Sequence, residues 1–268
     1  MNAPLQFVPA SAFKQRAAAA VADAHLRSSF RNAMDFLIAR RAAQFPDALA
    51  LERQRAFAEH IRKYSLARLP DLLEQLERKL TDNGVSVHWA ETPEEANRII
   101  IDIARRHSTR LMVKGKSMVS EEIELNHAMA DAGMEALESD MGEYIVQLDG
   151  EKPSHIIMPA IHKTKQQIAR LFAEKVPGAA YTDSVDELIG IGRAVLREKF
   201  MTAEIGLSGV NFAVAETGTL CLVENEGNGR MCTTVPDVHI AITGIEKVVD
   251  KLEHVPPLLA LLTRSATG

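Results

Sequence analysis

From Val85 onward the chain alternates short apolar runs with amphipathic stretches long enough for a helix, and this alternation restricts the fold more than any other feature. It predicts strands near 85–89, 110–113, 134–138, 155–159, 210–215, 219–223 and 238–242, with helices between the first five. Thr92-Pro-Glu-Glu95 is a capping box with Pro at the first helical position, and Ser184-Val-Asp-Glu187 is a second. Strands separated by helices imply right-handed βαβ crossovers. The 210–223 pair, joined at Glu216-Thr217-Gly218, reads instead as a hairpin. The expected fold is α/β, a mixed and mostly parallel sheet with helices on both faces.

Before Asn83-Gly84 the pattern is helical. Phe30, Met34, Phe36 and Leu37, then Leu66, Leu69, Leu72, Leu73, Leu76 and Leu80, recur at helical spacing among charged residues. Residues 1–84 are therefore expected to form a helical region packed on an α/β domain of residues 85–268. In the helix expected at about 184–204, Gly190 and Gly192 each cost roughly 1 kcal/mol relative to Ala. Close backbone packing on the sheet is the expected reason, with a hinge as the alternative.

The net charge of −5 argues against a general nucleic-acid surface or an anionic-membrane binder, while leaving room for local anion sites. No stretch approaches the roughly 20 apolar residues of a membrane span, and the Ala17–Val21 run ends quickly at Asp23, so a cytoplasmic location is expected. Cys221 and Cys232 are the only cysteines. A 4Fe–4S cluster takes about four thiolates and a structural zinc about four Cys/His ligands, so no metal is expected in this chain. Cys221, inside an apolar run, reads as an ordinary buried thiol.

Leu111-Met-Val113 runs into Lys114-Gly-Lys-Ser117 and then a helical stretch, which puts two lysines and two hydroxyls where free N–H groups and the helix dipole favour an anion. The spacing is not that of a P-loop. The plainer reading is two solvated lysines and a Ser120 N-cap with Glu121 and Glu122 in the first turn. Other strand ends carry ionisable groups too: Asp140 and Glu143, His162 and Lys163, and Glu216. Ligands of open α/β sheets bind outside the carboxyl ends of the strands, so these ends point to one cleft. Individually, His162 reads as a helix-start residue, and Asp140 with Glu143 as the beginning of a short helix through Leu148. The apolar run Leu220–Val223 is bracketed by polar groups from Glu216 to Arg230 that need partners. The candidate proton-moving residues are Glu216 and His162. Candidate substrate contacts are Lys114, Lys116, Ser117, Glu121, Asp140 and Glu143, joined by Asn211, Thr217, Asn225, Glu226, Asn228 and Arg230. Val113, Ile157 and Val214 should then lie on neighbouring buried strands, with Lys114, His162 and Glu216 opening on the same side.

Val113-Lys-Gly-Lys-Ser-Met-Val-Ser-Glu-Glu122, Glu138-Ser-Asp-Met-Gly-Glu-Tyr-Ile145, Pro153-Ser-His-Ile-Ile-Met-Pro-Ala-Ile-His162, Asn211-Phe-Ala-Val-Ala-Glu-Thr-Gly218, Val223-Glu-Asn-Glu-Gly-Asn228, Gly244-Ile-Glu-Lys247 and Arg264-Ser-Ala-Thr-Gly268 resemble the LUD domain family. The resemblance is closest to the iron–sulfur B subunits of a bacterial three-protein L-lactate oxidation system. It implies a fold similar to the glucosamine-6-phosphate deaminase, ribose-5-phosphate isomerase and CoA-transferase group. It also implies electron transfer during oxidation of lactate to pyruvate, with A- and C-type subunits as partners. The family continues past the Arg-Ser-Ala-Thr-Gly motif into a ferredoxin-like region with cysteine motifs for two 4Fe–4S clusters. This chain is thus expected to be the LUD portion of a longer protein. Three roles follow from the resemblance: an active-site domain for lactate or another small carboxylate, a docking scaffold for partner subunits, or an acyl-transfer domain working through Glu216 or Glu226.

With two cysteines, the purified chain should be colourless and free of cluster or structural zinc. Iron near four equivalents per chain after anaerobic reconstitution, with broad blue-region absorbance, would contradict this expectation.

Overall fold

The computed structural model describes residues 13–267. Four helices lead: α1 (Phe13–Ala22), α2 (Ala24–Gln44), α3 (Ala48–Ala67) and α4 (Leu69–Asp82). Asp23 and Asp47 cap α2 and α3 by accepting from Leu26 N, and from Leu49 N and Ala50 N. Pro70 sits in the first turn of α4, whose Leu72, Leu76 and Leu80 form a buried stripe. Among the described residues no helix is long and apolar enough to cross a membrane.

Seven strands follow. The first sheet contains β1 (Leu111–Lys114), β2 (Glu135–Glu138), β3 (Ile205–Gly209) and β6 (Val238–Ile242) in the order β2-β1-β3-β6, all parallel. α5 (Pro93–Arg106) leads into β1, and between the strands run α6 (Met118–Glu122), α7 (Leu125–Asp131), α8 (Met141–Asp149), α9 (Lys165–Lys175), α10 (Val185–Thr202) and α11 (Asn228–Thr234). Side chains alternate across a strand, so neighbours on β1 feed different cores. Val113 packs with Tyr144, Phe172, Leu196 and Phe200, whereas Met112 packs with Ile100, Leu125, Met129 and Leu207 on the other face. A sheet buried on both faces reads as continuous apolar sequence, as Leu-Met-Val does here.

The expected single mixed sheet is in fact two. β4 (Phe212–Val214) pairs antiparallel with β5 (Thr219–Cys221) and parallel with β7 (Val248–Val249). The hairpin expected at 210–223 is present, turning through Gly218 at φ +71°. α3 and α12 (Val255–Thr267) cover one face of this second sheet through Ile61, Phe212, Val214 and Leu258. Leu72, Leu76 and Leu80 of α4 cover the other. Only Val210 and Asn211 separate β3 from β4, so the chain passes from the first sheet into the second through a two-residue connection that bends at Asn211.

Two expected strands do not form. Residues 85–89 form no regular element and join no ladder, and Val85 and Trp89 are exposed. Residues 155–159 make a turn in which His155 Nδ1 accepts from Ile157 N and Met158 N, both at 3.2 Å, so the side chain occupies donors that a ladder would need. Ile157 is therefore not on a strand, and Val113 and Val214 lie on different sheets. Conversely β3, paired with both β1 and β6, escapes the sequence pattern because Ile-Gly-Leu-Ser-Gly is poor in strand formers. Its glycine is a packing requirement: a Cβ on Gly206 would lie 1.9 Å from the Cys232 carbonyl oxygen in α11. In α10, Gly192 is packed, with a Cβ 2.5 Å from Met141 Sδ, but Gly190 faces open space. Close packing thus accounts for one of the two helical glycines.

These contacts predict opposite signs for two glycine substitutions. Gly206→Ala meets backbone that cannot rotate away and should cost about 3 kcal/mol or more, the upper end of overpacking. Gly190→Ala, unobstructed in a helix, should stabilise by about 0.5–1 kcal/mol. Urea midpoints measure both, and a Gly206→Ala protein as stable as wild type would refute the close approach of α11.

Candidate functional site

The carboxyl ends of β1 and β2 carry the densest polar cluster. Lys114 and Glu138 are register partners in the parallel ladder, which sends both side chains to the same face. Lys114 has no exposed surface, and its Nζ donates to Glu121 Oε1 at 2.8 Å and to Glu138 Oε1. Asn126 Nδ2 donates to the same Glu138 oxygen at 2.8 Å. Burial by itself would lower the Lys114 pKa, but the charges of Glu138 and Glu121 outweigh it and hold the ammonium above the ordinary lysine range.

Glu143 reaches the cluster from the first turn of α8 and is 8 % exposed. Burial first, then the charge of Glu138 beside it, push its pKa up to about 9, with Lys114 pulling the other way. At neutral pH Glu143 is a carboxylic acid. Glu121, Asn126, Glu138, Glu143, Gln147 and Glu151 line a narrow cavity of about 60 Å³ here.

A second, more open cluster adjoins it. Asp140 caps α8, its Oδ1 accepting from Gly142 N at 2.9 Å and Glu143 N at 3.1 Å. Lys116 Nζ lies 2.7 Å from Asp140 Oδ2, an ion-pair contact without hydrogen-bond alignment, and also donates to the Ile157 carbonyl at 3.3 Å. Glu226 Oε2 accepts from Met141 N at 3.2 Å. Loss of water at its carboxylate, then the charge of Asp140, raise the Glu226 pKa. Asn228 Nδ2 reaches Ser139 Oγ at 3.5 Å, and Ser139 Oγ donates to the Lys114 carbonyl at 2.8 Å.

The structure thus brings together Lys114, Lys116, Glu121, Asp140, Glu143, Glu226 and Asn228. Ser117 stands beside them as the N-cap of α6, accepting from Ser120 N at 3.2 Å. Ser120, the expected cap, lies inside the helix instead, its Oγ donating to the Ser117 carbonyl at 2.8 Å. His162 is at the rim, 2.7 Å from both Ser154 Oγ and the cavity-lining Glu151 Oε2. The other candidates are elsewhere. Glu216 is on the hairpin of the second sheet, its Oε2 accepting from Leu252 N at 3.0 Å. Thr217 Oγ1 bonds Thr219 Oγ1 at 2.8 Å, and Asn211 Oδ1 accepts from Val223 N at 2.7 Å, both within the hairpin region. Arg230 is exposed and bonds Glu224 through its backbone N at 2.8 Å, and Asn225 is exposed. Sequence reading missed Glu138, Asn126 and Glu151. Glu138 carried a usable signal, a charge at the last position of an apolar strand as Lys114 is on its neighbour. Among the described residues no group of three or more His, Cys, Asp or Glu side chains is disposed to hold a metal ion.

The LUD domain family matches residues 73–268. The chain is 43% identical over 256 residues to an Escherichia coli K12 protein named "Uncharacterized electron transport protein YkgF", covering 96% of this chain and 54% of that protein. It is 42% identical over 262 residues to "Lactate utilization protein B" of Bacillus pumilus, covering 97% and 55%. The protein of the same name from Bacillus cereus AH820 is 43% identical over 256 residues. The chain spans about half the length of the curated relatives it matches. No solved structure matches it.

Glu143 makes stability depend on pH. Its folded pKa, about 9, lies above the ordinary 4.5, so the folded state keeps a proton that the unfolded chain releases. Its contribution is complete below about pH 4.5 and falls as pH rises to about 9, by at most about 1.4 kcal/mol per unit. Glu143→Gln, which imitates the neutral acid, should flatten that decline in urea denaturation between about pH 5 and 9. Parallel stability profiles for the two proteins would rule out a neutral Glu143.

Proposed function

The chain belongs to the LUD domain family, and from that premise we propose that it is the LUD portion of a cytoplasmic iron–sulfur electron-transfer protein that takes part in the oxidation of L-lactate to pyruvate. The names of its relatives, lactate utilization and electron transport, support this reading, and A- and C-type proteins of the lactate system are its proposed partners. The residues present do not fit a 4Fe–4S cluster. Cys221 is in the second sheet and Cys232 is buried in α11, two thiols where about four are needed. Clusters are proposed for the part of the relatives' length that this chain does not span.

The observation that carries the site assignment is a partly exposed lysine, Lys116, set beside carboxyl groups shifted toward their protonated forms at the carboxyl ends of a parallel sheet. In this reading Lys116 takes the substrate carboxylate in place of Asp140, with Glu226 at the mouth of the same cluster. Glu143 holds a proton next to Glu138, and His162 at the rim accepts or delivers one. Lys114 acts through its neighbours: fully enclosed and spent on two carboxylates, it holds Glu138 and Glu121 in place beside Glu143. Glu216, engaged with Leu252 on the other sheet, has no part in this reading.

Direct binding tests the proposal. L-lactate at about 100 times its Kd should stabilise the chain by about 2.7 kcal/mol in a thermal-shift titration. Lys116→Ala should weaken binding about 10- to 150-fold, the equivalent of roughly 1.5–3 kcal/mol for a charge-assisted hydrogen bond, and should cost the fold about 1–3 kcal/mol, because the buried Asp140 loses its cation while keeping its two backbone donors. Lys114→Ala should instead destabilise the fold by about 3–5 kcal/mol, because it leaves buried carboxylates uncompensated. No shift with L-lactate, or equal shifts for wild type and Lys116→Ala, would overturn the assignment.

A further inference from the structure

The N-terminal helices are charged against the rest of the molecule. Residues 13–44 hold six basic and two acidic side chains, a charge of +4, so the rest of a chain whose net charge is −5 carries −9. Neither α1 nor α2 contains a buried residue, although α2 is 21 residues long. Phe30, Met34 and Leu37 make a stripe at helical spacing that is only half-buried, and Phe36 and Ile38 are 59 % and 64 % exposed. The principal neighbours of α2 are α1 and α12. No ion pair among the described residues involves Lys14, Arg16, Arg27 or Arg31. Helices of this length draw most of their stability from packing an apolar face, so a basic arm with none fully covered has an unused contact surface.

We propose that α1 and α2 form a docking arm for a second copy of this chain, closing on its acidic body. The charge division selects this occupant. Each copy offers a +4 arm and a −9 body, so a two-fold arrangement satisfies both arms at once, residue i meeting residue j and the reverse. The overall repulsion between two copies is screened beyond about 8–10 Å at ordinary salt, whereas opposed charges in the contact act within that distance. A half-covered apolar stripe supplies the area that charge alone does not.

Sedimentation equilibrium on the whole chain tests the arm. At about 0.1 M salt it should be dimeric, and about 1 M salt, where the screening length is about 3 Å, should shift it toward monomer. The double variant Arg27→Glu with Arg31→Glu should raise the dimer Kd at least about tenfold, which corresponds to about 1.4 kcal/mol, with unchanged circular dichroism. Arg193→Glu on α10, outside the arm, should leave the dimer intact. A monomer at about 0.1 M salt and about 100 times the concentration of a micromolar Kd, or a dimer indifferent to the double variant, would overturn the proposal. Binding to phosphatidylserine vesicles without self-association would overturn it too, by assigning the arm to an anionic membrane.

Discussion

The ammonium of Lys114, enclosed at the end of β1, is the constraint on which the arrangement of the first sheet depends. An unpaired charge in such a place costs several kcal/mol, so the sequence must deliver opposite charge to within hydrogen-bond reach from other elements. It does so twice, with Glu138 from the neighbouring strand and Glu121 from α6. The first requires the parallel register of β1 and β2, and the second requires α6 to turn back over the strand end. Asn126 and Ser139 tighten the same knot, one on Glu138 and one on the Lys114 carbonyl. A slip of one residue between the strands would point Glu138 to the opposite face and strand the lysine.

Glu143 follows from that arrangement. With both nearby carboxylate positions on Lys114 taken, a third carboxyl in the same dry space has no cation of its own, and keeping its proton is the cheaper state. The outer cluster is built otherwise. Lys116 has water access and a single carboxylate contact, to a buried Asp140 whose other oxygen is held by the N–H groups of Gly142 and Glu143. Two lysines two residues apart thus differ in kind: one structural, one available.

What was legible in the sequence was whatever repeats with a period. The caps of α5 and α10, the strands β1, β2 and β6, the hairpin of β4 and β5 and the start of α8 at Asp140 all rest on local spacing and turn chemistry. β3 was not legible, because Gly206 serves the approach of α11 and Gly209 that of the Lys116–Ser117 loop, contacts between segments far apart in the chain. The division into two sheets was hidden as well, since Val210 and Asn211 look like any two residues of one strand; this is why Glu216 seemed to share a cleft with Lys114. Ser117 and Ser120 are both good caps by type, and only the backbone tells which one turns. The candidate site was legible as residue types at strand ends. The enclosure of Lys114 was not, because apolar and charged positions look alike until the covering helices are in place.

Val210 and Asn211, bent at Asn211, are all that joins the two sheets at this point. Gly209, at the last position of β3, would place a Cβ 3.1 Å from Ser117 Cβ and 3.2 Å from the Lys116 carbonyl, so its backbone abuts the loop that carries the accessible lysine. Val214, five residues further along, is buried under α3 and α12. A connection of two residues leaves little slack, so the placing of the helix-covered sheet limits where the loop of the accessible lysine can sit.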